Sequence, residues 1–152
     1  MSVLICGSLA FDTITTFGGR FAEQILPDQV HILNVSFLVP TLKREYGGCA
    51  GNIAYSLYQL GGKPVVMATL GDDGQPYVQR MREWGIPLDH VQTVPDSYTA
   101  QAIIITDQTN NQITAFHPGA MMQAHIQRIE ANPAIKLAIV APDGRDAMIQ
   151  HA

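Results

Sequence analysis

Residues 45–62, EYGGCAGNIAYSLYQLGG, decide the fold of this chain because they place three glycines directly before a predicted helix. The pattern predicts a helix over residues 52–60 that stops at the following pair of glycines. Glycine brings bare backbone N–H groups close to a ligand, and a helix N-terminus adds unpaired N–H groups and the positive end of its dipole. We therefore expect Gly47 and Gly48 to lie against a small polar ligand, with Asn52 capping the helix or directing its amide at a ligand hydroxyl. A tight turn followed by an N-cap is the alternative for the same residues.

Short apolar runs alternate with amphipathic segments along much of the chain, which is typical of an α/β fold. The predicted strands of this pattern are residues 3–6, 64–70, 89–94 and 136–141, and the predicted helices are 52–60, 75–84, 124–130 and a last one from Arg145. Continuous apolar strands joined by helices indicate a mostly parallel sheet with helices on both faces.

Two β-rich segments, about residues 13–46 and 99–117, do not follow that alternation. The first has strand-like runs at 13–17 and 31–39, and the second predicts a hairpin around the turn chemistry of residues 107–111. We expect the two segments to pair as a small separate sheet.

The composition bounds the class of protein. The chain has 152 residues, of which 47% are hydrophobic and 14% charged, with a net charge of −4. That length predicts one domain, and the lack of a basic stripe argues against nucleic acid or an anionic membrane as partner. The start has no basic region before its apolar residues, and two cysteines make no disulfide framework or metal spacing. We therefore expect a cytoplasmic protein.

Asp12 is the second candidate ligand-binding residue. It follows the first predicted strand, at the carboxyl edge where open α/β sheets bind their ligands. A carboxylate accepts hydrogen bonds from two neighbouring sugar hydroxyls, although an Asp that only makes a turn or a cap fits the same position.

These motifs, taken together and in this order, resemble the N-terminal half of the ribokinase-family (PfkB-type) carbohydrate and nucleoside kinases. The residues that carry the resemblance are Gly7-Ser8, Asp12, 47–52 (GGCAGN), 60–62 (LGG) and 71–74 (GDDG). Three further stretches look most like bacterial adenosine kinases, namely 17–24 (FGGRFAEQ), 36–39 (SFLV) and 116–121 (FHPGAM). The resemblance implies a ribokinase-like three-layer α/β/α sandwich with a small β-sheet lid. Residues 1–152 would be the N-terminal part of that one domain, with the lid at about 13–46 and 99–117.

The resemblance also implies an acceptor site that holds ribose hydroxyls. Asp12 would accept hydrogen bonds from these hydroxyls. Backbone groups of Gly47 and Gly48, together with the Asn52 side chain, would hold the same hydroxyls.

The base side of the implied pocket comes from other residues. Ser8 and Ser36 would line it, and Phe116 would stack on a purine face, a contact worth about 0.5–1.5 kcal/mol beyond area burial for an aromatic pair. Related adenosine kinases can carry a second aromatic at the position of Ala102, and the small residue here makes the purine preference less definite.

The catalytic apparatus of the family does not occur in this sequence. The family's Gly-Ala-Gly-Asp-type motif, which supplies the catalytic base and an anion hole, is absent, and so is its magnesium-organising Asn-x-x-Glu motif. We therefore expect neither catalytic residues nor metal ligands in this chain. The resemblance implies phosphorylation of a nucleoside or sugar hydroxyl by Mg-ATP, adenosine to AMP first, with this chain as the acceptor-binding half.

Two other classes of function stay open at this point. One is a non-catalytic module that binds a nucleoside or sugar, or an inactive fragment. The other is a nicotinamide-dependent oxidoreductase on a Rossmann sheet, which would need a fingerprint glycine loop that residues 7–11 do not supply. For partners we expect only the small-molecule acceptor and a homodimer formed through the lid, whose strand at residues 102–105 is apolar.

Overall fold

The computed structural model describes residues 2–152. Its strands are β1 Ser2–Cys6, β2 Ala10–Thr16, β3 Thr41–Gly47, β4 Lys63–Leu70, β5 His90–Thr93, β6 Ala100–Thr106, β7 Gln112–His117 and β8 Ile135–Val140. Its α-helices are α1 Phe21–Gln24, α2 Cys49–Gln59, α3 Gln75–Glu83 and α4 Arg145–His151, and 3₁₀ segments cover Pro27–Ile32 and Gly119–Ile126.

The chain divides into two compact units. The first contains residues 2–11, Tyr46–Gln101 and His117–Ala152, and the second contains Asp12–Glu45 and Ala102–Phe116.

The first unit is built on a parallel sheet with the strand order β5-β4-β1-β8. Ile5 in the central strand β1 pairs with Val66 of β4 and with Ile139 of β8. Because strand side chains alternate between faces, β1 and β4 each contribute to two apolar layers. This arrangement agrees with the predicted parallel strands, all of which form.

Helices cover both faces of this sheet. On one face, the side chains of β1 and β4 pack with Ala50 and Ala54 of α2 and with Tyr77 and Met81 of α3. On the other face, the Thr69 hydroxyl of β4 donates to the Ala120 carbonyl of the second 3₁₀ segment at 2.8 Å, and α4 packs on that segment. The expected layering of helix, sheet and helix is confirmed.

Helix α2 begins three residues earlier than its pattern predicts. Gly48 is its N-cap, with φ of 88°, and Cys49 is its first residue. The Asn52 backbone N–H already donates to the Gly48 carbonyl at 3.0 Å. The prediction that Asn52 caps this helix is therefore wrong. Gly48 adopts a backbone conformation that ends strand β3 and lets the helix begin at the next residue.

The second unit contains most of a four-stranded sheet with the order β3-β2-β6-β7. The predicted hairpin is present as β6 and β7. The strand predicted at residues 31–39 is wrong, because 3₁₀ turns continue to Ile32 and the following residues have irregular backbone. Phe37 in this segment packs on the rings of Phe17 and Phe21, with centroids 4.9 and 5.0 Å away. Aromatic packing therefore holds this segment in place, whereas its β-rich composition suggests hydrogen bonding to a neighbouring strand.

The helix predicted at residues 124–130 is also wrong. Helical turns cover Gly119–Ile126 instead, and they are of the tighter 3₁₀ type. They start directly after Pro118, and Gly119 adopts a φ of 48°. Buried Ala120 and Ala124 seat the segment on the sheet, so tertiary packing and not helix propensity sets its limits.

Candidate functional site

The Gly48 turn lies against the loop that follows β1. Ser8 in this loop is 8% exposed. Its hydroxyl accepts the Cys49 N–H at 3.1 Å, and its carbonyl accepts the Ala50 N–H at 3.0 Å. Ser8 therefore satisfies two of the N–H groups that the start of α2 leaves without helical partners. The structure brings Ser8 and the glycine pair together.

Gly48 is required at this contact for two reasons. Its φ of +88° lies in the region that favours glycine, and a Cβ there would come within 2.5 Å of the Ser8 carbonyl oxygen and 2.7 Å of the Ala10 nitrogen. The backbone of the turn therefore approaches the β1 loop as closely as a chain without a side chain allows.

Asn52 is exposed on the first turn of α2. It borders a groove of about 410 Å³ whose other walls are Ser56 and apolar side chains of α2, β1 and β8, among them Val3, Leu57 and Leu137. Within the first unit, Asn52 therefore faces the side of the sheet that leads to β8.

The three remaining predicted site residues belong to the second unit. Asp12 lies in β2 and is partly buried, and this burial raises the pKa of its carboxyl above the ordinary value. Phe116 lies near the end of β7 with 54% of its surface exposed. Ser36 is exposed in the irregular segment after the first 3₁₀ turns, so the strand expected to carry it is absent. Asp12 thus offers a carboxylate on strand β2, and Phe116 offers an exposed aromatic ring on strand β7 of the same sheet.

Sequence reasoning missed one carboxyl group, that of Asp143. It lies just beyond the carboxyl end of β8 and is 7% exposed. Its Oδ1 accepts the Gly144 N–H at 2.9 Å, whereas Oδ2 accepts no hydrogen bond from residues 2–152. Burial raises the pKa of Asp143 to about 6, against the lowering effects of the Gly144 N–H and of nearby His151. The rule that singled out Asp12, a carboxylate just after a buried parallel strand, applies equally to Asp143.

The adjacent carboxylates of Asp72 and Asp73 serve the turn after β4. Asp72 accepts the Asp96 N–H at 3.0 Å, and Asp73 accepts the Thr99 N–H at 2.7 Å. Across residues 2–152, no three His, Cys, Asp or Glu side chains converge as a metal site would require. None of the helices in this range is long and apolar enough to cross a membrane.

The sequence profile of the pfkB family of carbohydrate kinases matches residues 19–148. The chain belongs to the pfkB carbohydrate kinase family. The resemblance stated from the motifs is thereby confirmed.

Relatives of this pfkB-family chain include nucleoside kinases. The nucleoside kinase of Methanothermobacter thermautotrophicus is 29% identical over 120 residues, which are 78% of this chain and 36% of the relative. The solved nucleoside kinase of Burkholderia thailandensis in complex with inosine is 57% identical with a TM-score of 0.84, over 98% of this chain and 47% of that one. The nucleoside kinase of Methanocaldococcus jannaschii, a member of the ribokinase family, is 23% identical with a TM-score of 0.81 and shows the shared fold.

These matches confirm the ribokinase-like fold of this pfkB-family chain. They also show that it spans between about a third and a half of the length of the relatives it matches.

Proposed function

We propose that this pfkB-family chain is the acceptor-binding part of a kinase that transfers a phosphoryl group from ATP to a hydroxyl of a nucleoside, with adenosine as the first candidate acceptor. The observation that carries the proposal is the match of the pfkB carbohydrate kinase profile to residues 19–148, and the Gly48 turn against the loop after β1 is where we place the acceptor. The 57% identity to a nucleoside kinase solved with inosine supports a nucleoside acceptor.

The acceptor site would divide its work among three kinds of group. Asp12 accepts hydrogen bonds from the ribose hydroxyls, and burial favours this because the higher pKa of its carboxyl makes the carboxylate a stronger acceptor. Backbone groups of Gly47 and Gly48 and the Asn52 amide hold the same hydroxyls.

The base side of the acceptor site would come from three further side chains. Ser8 and Ser36 line it, and Phe116 offers its exposed ring for stacking on the base.

The phosphoryl donor would be bound mostly outside this chain. A complex of the Burkholderia relative with ADP-inosine supports ATP as the donor. The family's catalytic-base and magnesium motifs do not occur in this sequence. We therefore propose that the catalytic base and the metal ligands come from outside this chain, and that Mg-ATP acts in the cytoplasm on an acceptor that this part holds in place.

The outer edge of β8 supports the proposal that the phosphoryl donor is bound mostly outside this chain. β8 is a terminal strand of the parallel sheet, yet Leu137 and Val140 are 50% and 39% exposed. Parallel sheets normally have both faces covered and their strands paired. We propose that the remaining part of the kinase adds its next strand and helices here.

The lid would also form a homodimer contact. Segments 13–46 and 99–117 are proposed as the lid, and Ile103 and Ile113 on its hairpin are 42% and 39% exposed. A single monomer mass in sedimentation equilibrium at micromolar concentration would contradict the dimer.

Calorimetric titration of the purified chain tests the acceptor site. We expect saturable binding of adenosine or inosine, none of fructose 6-phosphate, and loss of nucleoside binding in Asp12→Ala. Asp28→Ala is the matched control, because it removes an exposed carboxylate from the same unit. Equal nucleoside affinity in both variants would contradict the role of Asp12, and no nucleoside binding by a folded wild-type chain would overturn the proposed site.

A further inference from the structure

Gly51, the third glycine in residues 45–62, is needed for a contact within the protein and not for a contact with a ligand. Gly51 lies in the first turn of α2, and a Cβ at this position would overlap the hydroxyl of Tyr77 from α3. The Tyr77 ring is almost completely buried, with 1% exposure. Gly51 therefore provides the space that the Tyr77 hydroxyl occupies.

The Tyr77 hydroxyl donates a hydrogen bond to the Gly47 carbonyl at 2.6 Å. Gly47 is buried as well. An unpaired buried carbonyl is costly, and the two glycines at 47 and 48 leave the peptide between them unusually free to rotate. The Tyr77 hydroxyl thus satisfies the Gly47 carbonyl, which belongs to the most freely rotating peptide of this turn.

Fixing this carbonyl also fixes the N–H of Gly48. The chain has no cis peptide among its described residues, and in a trans peptide the C=O and the N–H point in opposite directions. With the Gly47 carbonyl held towards α3, the Gly48 N–H must point away from α3.

Aromatic packing holds Tyr77 itself in place. Its ring lies 5.7 Å from the ring of Phe11 and 5.2 Å from that of Tyr46, which meets it edge-on. Phe11 directly precedes Asp12, and Tyr46 directly precedes Gly47. The cluster of Phe11, Tyr46 and Tyr77 therefore anchors the residues from which two predicted ligand-binding segments extend.

We infer that Tyr77 is a positioning residue for nucleoside binding, which orients the Gly47-Gly48 peptide through its hydroxyl, and that Gly51 exists to admit that hydroxyl. The inference rests on the proposed function, because the glycine pair is the proposed contact to the ribose hydroxyls.

The decisive variant is Tyr77→Phe, which removes one oxygen and keeps the ring. Tyr46→Phe is its matched control, because it removes a hydroxyl from the same cluster that makes no hydrogen bond within residues 2–152. In a three-dimensional HNCO spectrum, one signal combines the Gly48 N–H with the Gly47 carbonyl carbon. We expect Tyr77→Phe to move this signal and to weaken adenosine or inosine binding about tenfold, the loss of one buried hydrogen bond. We expect Tyr46→Phe to change neither.

A second pair of variants tests the part played by Gly51. Gly51→Ala should lower the urea midpoint strongly, and Tyr77→Phe introduced into Gly51→Ala should restore part of that loss, because the overlapping oxygen is gone. Strictly additive losses in the double variant would overturn the assignment of Gly51.

The outcomes separate the positioning role from the proposed function. An unchanged Gly47-Gly48 signal in Tyr77→Phe, or a moved signal with unchanged nucleoside affinity, overturns the role of Tyr77. If the wild-type chain binds no nucleoside, the proposed function fails, and the HNCO signal still decides whether Tyr77 holds the turn.

Discussion

Asp143 should make the folded chain less stable as the pH rises from about 4 to about 7. Its carboxyl is 7% exposed, and only one of its oxygens accepts a hydrogen bond from the described residues. Burial raises its pKa from 3.8 to about 6. The folded state therefore binds the Asp143 proton more tightly than the unfolded state does.

The size of the effect follows from this difference in pKa. A raised folded-state pKa stabilises the protein fully below the unfolded value, and the contribution is lost as the pH rises through the folded value. A difference of about two pKa units at about 1.4 kcal/mol each corresponds to at most about 3 kcal/mol. Asp143→Asn has no proton to lose and should not show this decline.

Urea denaturation of the wild type and Asp143→Asn between pH 4 and 7.5 measures the effect. The free energy of unfolding of the wild type, relative to the variant, should fall by up to about 3 kcal/mol across this range, while effects of other carboxylates cancel in the difference. Asp146→Asn, at an exposed neighbour, should parallel the wild type.

Cys6 and His151 interact electrostatically with Asp143. Burial raises the pKa of Cys6 to about 11, so its thiol stays neutral throughout the range. Repeating the series in His151→Gln removes the imidazole that interacts with Asp143. The difference in free energy of unfolding between wild type and Asp143→Asn is then compared with and without the His151→Gln change. If that difference does not change with pH in either case, the reasoning is refuted.

Three further predictions concern the glycine turn, the hairpin and the sheet edge. Gly48→Ala should lower the free energy of unfolding by about 2–4 kcal/mol in urea denaturation, whereas Gly61→Ala, with φ of +76° but open space around it, should cost about 1 kcal/mol. Asp107 accepts the Phe21 N–H at 3.0 Å, and its backbone and side-chain hydrogen bonds hold its pKa below the usual range. Since that contribution is present above the unfolded pKa and lost as pH falls, acid or Asp107→Ala should lower the hydrogen-exchange protection factor of the Phe21 amide, and an unchanged protection factor would count against it. Leu137→Glu, at the half-exposed edge of β8, should lower the free energy of unfolding by about 1 kcal/mol, because about half of the leucine surface is buried, and a loss above about 3 kcal/mol would mean that this side chain is fully packed.

The sequence by itself indicated the parallel sheet, because strands buried on both faces are continuous apolar runs that local pattern reveals. It also carried the family motifs, since their glycines and Asp12 are set by chemistry at single positions. Residues 31–39 and 124–130 were predicted wrongly because strand and helix propensities are weak where tertiary packing decides, as the Phe37 contacts and the buried Ala120 show.

Only the tertiary structure decided the purpose of individual residues at the candidate site. The glycines at residues 47, 48 and 51 look alike in sequence, yet Gly48 permits a close backbone approach to Ser8 and Gly51 makes room for the Tyr77 hydroxyl. Tyr77 is 26 residues beyond Gly51, and no local pattern links them. A sequence pattern shows which backbone conformations a residue can adopt. The residues that it contacts depend on which distant segments the fold brings together.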